Sequence, residues 1–321
     1  MPDPKSIDGI LVQWGDRLFY PGNRMVRPRP EPRLRGSTQH DRAAVIRQRI
    51  EATVRRAPQV MVKVTGGGRG MKAIAAHFRY ISKNGRLDIE DDQGNVSRGK
   101  GSPRDLADDW RFGGALIGDE SPRREAFNII LSMPRGTDPL IVQRAAREFA
   151  QAEFADHKYV MVLHDHQANP HVHLSVRAES KEGRRLNPRK NDLHRWREVF
   201  AEKLQGWGVN AEASRQPTRG ASRSYPELWQ VKASQDGRLA KARPSRRSGP
   251  AAASSLESAR EAWARIAEAL AGSDIKKDRE LAPSIASFSR QVGFDRDSAA
   301  QGHGMERPPV AQPSRPGERM R

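Results

Sequence analysis

Histidines form the most prominent chemical pattern in this sequence of 321 residues. Three of them, His164, His171 and His173, lie in the segment HDHQANPHVHL. Because alternate residues of a strand share one face, His171 and His173 project together, and a short loop returns His164 to their side. Three neutral imidazoles placed in this way can bind one divalent ion and leave positions open for a substrate oxygen. The spacing predicts a metal site, although packed core histidines are an alternative that these residues leave open.

Two neighbours of this cluster, Asp165 and His166, are candidates for orienting a ligand histidine through a hydrogen bond, and both also suit a solvent-facing loop. The chain carries 57 Lys and Arg against 39 Asp and Glu, so its formal net charge is +18. Such a charge favours a polyanionic partner, either nucleic acid or an anionic membrane surface. A phosphodiester is therefore the predicted substrate of the metal site, and zinc hydrolases of other substrates are the rival class.

Cysteine is absent from the sequence, which excludes disulfides, thiolate zinc sites and cysteine nucleophiles. No apolar run approaches the roughly 18 residues of a membrane-spanning helix, and no signal-peptide pattern opens the sequence. We therefore predict a cytoplasmic protein without membrane insertion.

The sequence has four tyrosines as candidate nucleophiles, and three of them lie in a flexible arm, at the start of a strand or in a linker: Tyr20, Tyr159 and Tyr225. The fourth, Tyr80, lies near the end of a predicted helix between Arg79 and Lys83. Nearby positive charge favours a phenolate and attracts a phosphate. On the residues alone, an ordinary tyrosine of an amphipathic helix explains Tyr80 equally well.

Hydrophobic periodicity predicts the elements that position these groups. Strands are predicted over 59–65, 127–133, 159–164 and 171–176, and helices over 43–56, 71–83, 139–154 and 191–207. A polar connection fills the interval up to about Glu125. The last two strands are separated by a short loop and are predicted to pair antiparallel. The order predicts an α+β fold, in which helices pack on an open, mainly antiparallel sheet.

Composition divides the chain into five segments. Residues 1–42 are rich in Pro, Arg and Gly and are predicted to form a flexible basic arm. A folded domain is predicted over 43–222, a linker over 223–254 and an amphipathic helix over 255–272. Residues 273–321 are predicted to be a disordered basic tail.

Three ordered motifs resemble those of plasmid relaxases, the HUH-type mobilisation nucleases. They are YISKNG at 80–85, LSMPRGTDP at 131–139 and HDHQANPHVHLSVRAES at 164–180. The segment at 186–220 is also similar to that family, so the resemblance covers about residues 58–222. The third motif is specific to this family, whereas the first is short and supports the resemblance because it stands in the expected order.

The resemblance implies a relaxase, which nicks and rejoins one DNA strand at a transfer origin. It implies that Tyr80 attacks the phosphodiester to form a 5′-phosphotyrosyl link, that His164, His171 and His173 bind the metal, and that Ser132 helps to hold DNA beside the nick. It also implies an HUH-type sheet. Family members often have an acid two residues after the first histidine, where this chain has His166. The family commonly uses Mg²⁺ or Mn²⁺, and three imidazoles also suit Zn²⁺ or Ni²⁺.

The predicted partners are single-stranded DNA, accessory relaxosome proteins and the type IV secretion coupling machinery, with export of the protein alongside its DNA. The cations predicted to contact DNA are Arg79, Lys83, Arg184, Arg185, Arg189 and Lys190. Two alternatives remain. A rolling-circle initiator or HUH transposase shares the chemistry but generally places its tyrosine after the histidine pair. A non-catalytic nucleic-acid-binding protein would use the histidines for a structural metal.

Overall fold

A computed structural model describes residues 6–20, 39–166, 169–221, 233, 236–238, 249–292 and 294. The chain divides into two compact units, Met1–Arg219 and Gly220–Arg321.

The first unit is built around a six-stranded antiparallel sheet. The strands are β1 (Met61–Gly66), β2 (Ile89–Asp91), β3 (Val96–Ser97), β4 (Ala126–Ser132), β5 (Tyr159–His164) and β6 (His171–Arg177), in the spatial order β1-β4-β6-β5-β2-β3. All neighbouring strands pair antiparallel. The predicted α+β fold with an open, mainly antiparallel sheet is confirmed.

The first unit has six helices, and four of them, α3 to α6, pack on the two faces of the sheet. The six are α1 (Ile7–Phe19), α2 (Gln39–Val54), α3 (Met71–Ile81), α4 (Ser102–Phe112), α5 (Pro139–Phe154) and α6 (Lys190–Gly206). On one face, Val172 and Leu174 of β6 pack with α5 and α6 in a core that includes Phe149 and Trp196. On the other face, Val160 and Val162 of β5 pack with α3 and α4. Side-chain alternation along β5 and β6 therefore directs His164, His171 and His173 to the α3 face.

The structure corrects three parts of the sequence reading. Within the predicted flexible arm, residues 7–19 form α1, because Leu11, Leu18 and Phe19 are buried while Ser6 caps its first turn. Helix α2 begins at Gln39, before the predicted domain boundary. The predicted polar connection contains α4, which buries Trp110, and the short hairpin of β2 and β3. Residues 1–5 and 21–38 of the arm lie outside the described residues.

The second unit contains a pair of helices, α7 (Pro250–Ala271) and α8 (Lys276–Val292). Helix α7 begins inside the predicted linker, five residues before the predicted start. Helix α8 occupies part of the predicted disordered tail, because Ile285 and Phe288 are buried and Phe288 packs against Trp263 of α7. Most of the linker and the tail beyond residue 294 lie outside the described residues. In the described part of the chain, no helix is both long enough and apolar enough to cross a bilayer.

Candidate functional site

The three predicted ligand histidines converge on one buried site. In the β5–β6 register His164 lies opposite His171, and His173 lies two residues further along β6. One nitrogen from each imidazole lies within 4.8 Å of the other two, and all three side chains are buried. The shortest separation of ring centroids is 4.4 Å, between His164 and His173. Three nitrogen donors at this spacing fit a single divalent cation, since imidazole suits several transition metals.

Two backbone carbonyls determine which nitrogens face this centre. The Nε2 atom of His164 lies 2.6 Å from the carbonyl oxygen of Ile81, and the Nδ1 atom of His171 lies 2.9 Å from the carbonyl oxygen of Asn169. A carbonyl oxygen only accepts a hydrogen bond, so each of these nitrogens carries the proton and donates. The lone pairs of His164 Nδ1 and His171 Nε2 remain available to a metal, as second contacts of ligand histidines generally ensure.

Burial favours the neutral form of two of these imidazoles, His164 and His173. Burial lowers the pKa of His173 to about 3, and the neighbouring His164 and His171 act in the same direction. The pKa of His164 is also lowered by burial, and Lys83 contributes a smaller effect of the same sign. Neutral imidazole is the form that binds metal. His164 and His173 can therefore bind a cation at neutral pH without first losing a proton.

Helix α3 brings Tyr80 to the edge of this cluster. Ile74, Phe78 and Ile81 are buried against the sheet, which leaves the side chain of Tyr80 67% exposed. The Tyr80 ring lies 6.3 Å from the His173 ring in an edge-on arrangement. Because Ile81 follows Tyr80 and accepts the hydrogen bond from His164, the helix end that carries the tyrosine is tied directly to a ligand histidine.

The rest of the YISKNG motif closes helix α3. The hydroxyl of Ser82 accepts a hydrogen bond from the backbone N–H of Gly85 at 3.0 Å. Lys83 and Asn84 have positive φ angles, and so does Gly85 at +78°. A Cβ atom on Gly85 would lie 1.8 Å from the carbonyl oxygen of Gly99, so this position requires glycine. The motif thus terminates the helix immediately after Tyr80 and fixes where the phenol lies.

Ser132 lies beside the triad but is occupied by a structural contact. It pairs with His171 across β4 and β6. Its buried hydroxyl donates a hydrogen bond to the carbonyl of Pro170, at 3.3 Å. The second motif meets the third again where the backbone N–H of Arg135 donates to the side chain of Asn169, at 3.1 Å. These contacts hold Asn169 and Pro170, which directly precede β6, and so position His171.

Neither predicted orienting residue hydrogen-bonds a ligand histidine within the described residues. Asp165 and His166 are both exposed, and the His166 ring lies 5.1 Å from that of His164. The backbone carbonyls of Ile81 and Asn169 orient the histidines instead. Sequence reasoning did not identify them, because a main-chain acceptor leaves no residue-type signal.

The predicted DNA-contacting cations separate into different parts of the fold. Arg184 pairs with Glu182 and Asp156, and Arg185 pairs with Glu125 at 3.1 Å. These two follow the far end of β6, roughly 20 Å from His171 at about 3.3 Å per residue. Arg184 and Arg185 therefore lie away from the histidines and have carboxylate partners, and their contact with DNA stays a prediction. Arg189 and Lys190 are exposed at the start of α6, and their contact with DNA stays a prediction.

Arg79 and Lys83 lie close to the nucleophile. Lys83 is exposed in the turn after Tyr80. Arg79 lines a groove of about 290 Å³ between α3 and α4, together with Lys72, Arg104 and Arg111. Arg104 and Arg111 have carboxylate partners. Among the described residues, Lys72 and Arg79 have no ion pair, so their charges are available to an anion.

Sequence reasoning missed one residue of this site, His77. It lies one turn before Tyr80 on α3, and its ring centroid is 6.2 Å from that of Tyr80 and 6.4 Å from that of His173. Its spacing of three residues from Tyr80 places both on one helix face, and this was the available signal. The proximity of His77 to β6 could not be recognised from the sequence, because it depends on the tertiary structure.

Comparison with known proteins agrees with the arrangement of this site. Residues 80–209 match the family model "Relaxase: MobA/VirD2-like, nuclease domain". This region, which contains the tyrosine and the three histidines, is similar to the nuclease domain of MobA/VirD2-like relaxases. The predicted resemblance to plasmid relaxases is confirmed.

Two curated relatives are both T-DNA border endonucleases named VirD2. The protein from Agrobacterium fabrum is 25% identical over 183 residues, which cover 50% of this chain and 41% of the relative. The protein from Rhizobium radiobacter is 28% identical over 138 residues, which cover 37% of this chain and 31% of the relative. The matched region thus spans less than half the length of either relative.

Proposed function

We propose that this protein is a DNA relaxase, a metal-dependent nuclease that nicks and rejoins one strand at a transfer origin. The observation that carries the proposal is the position of Tyr80, whose ring lies 6.3 Å from that of His173 at the edge of the three-histidine cluster. The relaxase-family region supplies both groups. A tyrosine beside a candidate metal site is the arrangement that covalent attack on a phosphodiester requires.

The reaction uses Tyr80 as the nucleophile. Its Oη atom forms a bond to phosphorus while the bond from phosphorus to the 3′ oxygen breaks. The phenol proton leaves to solvent, and the 3′ oxygen gains a proton to become a free hydroxyl. The 5′ end stays attached to the tyrosine, and attack by a 3′-OH reverses the step and rejoins the strand.

The residues around Tyr80 have separate tasks in this proposal. His164, His171 and His173 hold a divalent cation, Mg²⁺ or Mn²⁺ in the first instance, which when bound polarises the phosphate and neutralises its charge. Ser132 acts indirectly, through the loop that positions His171. Arg79 and Lys83 flank the nucleophile and attract the backbone of single-stranded DNA, so binding should weaken with salt. The groove between α3 and α4 provides a cationic path away from Tyr80.

The wider transfer reaction is part of the same proposal. A nuclease of this type acts on DNA that accessory relaxosome proteins have opened, and the covalent complex is a substrate for a type IV secretion coupling protein. The names of both relatives refer to a border endonuclease. The protein would then work in the bacterial cytoplasm before export with its DNA.

A cleavage assay tests the proposal directly. Wild-type protein and Tyr80→Phe are incubated with labelled single strands from the protein's own replicon, in Mn²⁺ or in EDTA. The wild type is expected to form an SDS-resistant adduct only with Mn²⁺, and peptide mapping should place the DNA on Tyr80. The substitution is expected to abolish the adduct, because no other hydroxyl replaces the phenol.

Tyr159→Phe provides a matched control, since Tyr159 is buried on β5 with its pKa raised to about 12 by burial. This variant should form the adduct as the wild type does. Tight DNA binding without cleavage of any strand would contradict the proposal and favour a non-catalytic nucleic-acid-binding protein. An adduct on another tyrosine would overturn the assignment of Tyr80 alone.

A further inference from the structure

His77, Tyr80 and His173 form a near-equilateral triangle of rings. The centroid separations are 6.2 Å for His77–Tyr80, 6.4 Å for His77–His173 and 6.3 Å for Tyr80–His173. His77 and Tyr80 come from consecutive turns of α3, and His173 comes from β6. The three side chains therefore surround one point at the edge of the histidine cluster.

The Nε2 atom of His77 is buried and has no hydrogen-bond partner among the described residues. An unpaired buried polar atom costs roughly 1–3 kcal/mol of folding free energy. Native structures seldom retain such an atom unless a ligand, water or ion completes its bonding. A phenylalanine or leucine would fill the space on α3 without this cost, so the imidazole needs another reason to be there.

His77 does not belong to the metal-binding group. In the described part of the chain, the nitrogens that lie within 4.8 Å of one another come from His164, His171 and His173. A neutral imidazole ring has one N–H donor. A phosphate oxygen is a strong acceptor for such a donor.

We infer that His77 is a further catalytic residue, whose Nε2–H donates a hydrogen bond to a non-bridging oxygen of the phosphate that Tyr80 attacks. The inference rests on the proposed function. A phosphate within reach of both Tyr80 and a cation on the triad must lie between Tyr80 and His173, and His77 lies equally near both. A fixed donor at that point stabilises the charge that develops on the phosphoryl oxygens.

Single-turnover cleavage tests the inference, with saturating Mn²⁺ and a nick-site oligonucleotide identified with the wild type. His77→Phe is expected to slow cleavage roughly 100-fold, as loss of one aimed hydrogen-bond donor does. His77→Gln restores an N–H donor and should recover part of the rate. Mn²⁺ affinity and the Kd for single-stranded DNA should stay near the wild-type values in both variants, and His77→Phe should melt no lower than the wild type, because the unpaired buried nitrogen is removed. His40→Phe, an exposed substitution on α2, is the matched control.

A sulfur substitution at the nick separates a direct contact from a structural effect. Each non-bridging oxygen is replaced in turn by sulfur, which accepts hydrogen bonds poorly. One diastereomer should slow the wild type, and the same diastereomer should cause no further slowing in His77→Phe, because the two changes remove one interaction.

Three results overturn the inference. If His77→Phe cleaved DNA at the wild-type rate, the imidazole would make no contact that matters to the reaction. Additive effects of the sulfur and His77→Phe would assign His77 a structural role. If Mn²⁺ concentrations above those that saturate the wild type restored the cleavage rate of His77→Phe, His77 would be a metal ligand. In each of these cases the wild type still forms the Tyr80 adduct, so the proposed function stands, whereas a wild type without an adduct overturns both.

Discussion

The two ends of strand β6 differ in the partners that their buried polar side chains have within the fold. At its first end, His171 and His173 are buried and form no ion pair with any carboxylate in the described residues. At its last end, the guanidinium of Arg177 is also buried, but it donates to the carbonyl oxygens of Trp110, at 2.7 Å, and Ala115. Beyond Arg177, Arg185 and Glu125 pair at 3.1 Å.

The Arg177 end of β6 is therefore expected to contribute to folding stability, and the histidine end to binding. Charges at the Arg177 end are satisfied within the fold, so they can contribute to holding β6 against α4. Nitrogens of the three histidines at the other end lie within 4.8 Å of one another, where a single cation can bind them. Substitutions at the two ends should therefore affect different measurements.

The largest effect is expected at the histidine end. His173→Phe should lower metal-dependent cleavage by more than roughly 100-fold, since even the outer contacts of a metal site are worth 10–100-fold. The free energy of unfolding in EDTA should change by less than about 1 kcal/mol, because an apolar ring of similar shape replaces an imidazole without a charged partner. Cleavage kinetics and urea unfolding measure the two quantities. If His173→Phe cleaved DNA at the wild-type rate at saturating Mn²⁺, His173 would not be part of the metal site.

The next effect is expected at the other end. Arg177→Met should lower the free energy of unfolding by about 1–3 kcal/mol, because the buried carbonyl of Trp110 and the partly buried carbonyl of Ala115 lose their donor. Cleavage by the folded protein should stay within about twofold of the wild type, since the substituted side chain is remote from Tyr80. The exposed Arg184→Met is the matched control, with an expected loss below about 1 kcal/mol. If Arg177→Met loses cleavage while remaining folded, the two ends are not independent.

The smallest effect is a difference in pH dependence of the metal-free protein. Burial lowers the pKa of His173 to about 3, so between pH 6.5 and 3 the unfolded chain binds a proton that the folded chain does not. Stability should fall as the pH drops below 6.5, by about 1.4 kcal/mol at pH 5.5 for such a group. His173→Phe should remove this loss, as urea unfolding at pH 7.5 and 5.5 would show.

Glu125 titrates in a lower window. Burial raises the pKa of its carboxyl group, but hydrogen bonds from Ser121, Arg123 and Arg185 outweigh it and the net shift is downward. Its stabilising contribution is present above the unfolded value of 4.5 and is lost as the pH falls through the lowered pKa. Arg185→Gln should therefore leave the slope between pH 7.5 and 5.5 unchanged. A change of slope there would show that the two ends titrate together.

Strong local patterns made much of the fold predictable. Strands were predicted at 159–164 and 171–176, and β5 and β6 have nearly those bounds. The short loop between them determined that His164 faces His171. Helices α3 and α5 followed from apolar residues at helical spacing and from Pro139 at a helix start.

Elements that depend on distant partners were harder to predict. Strands β2 and β3 have only three and two residues, and such short segments carry too little alternation to be recognised. Helix α1 lies within a basic, Pro-rich region, whose overall composition masks a local apolar face. Arg185 was expected to contact DNA because its charge is visible in the sequence. Its partner Glu125 lies 60 residues earlier.

Residue types and local spacing predict the groups that can react and the strands and helix that carry them, because side-chain alternation and short loops act over a few residues. How these groups meet depends on the tertiary structure. It placed the carbonyl of Ile81 against His164 across 83 residues, brought α3 over β6 so that Tyr80 and His77 reach His173, and paired Arg185 away from the site. These contacts come from packing between elements that are distant in the chain, where burial and hydrogen bonding, rather than residue type, select the partner.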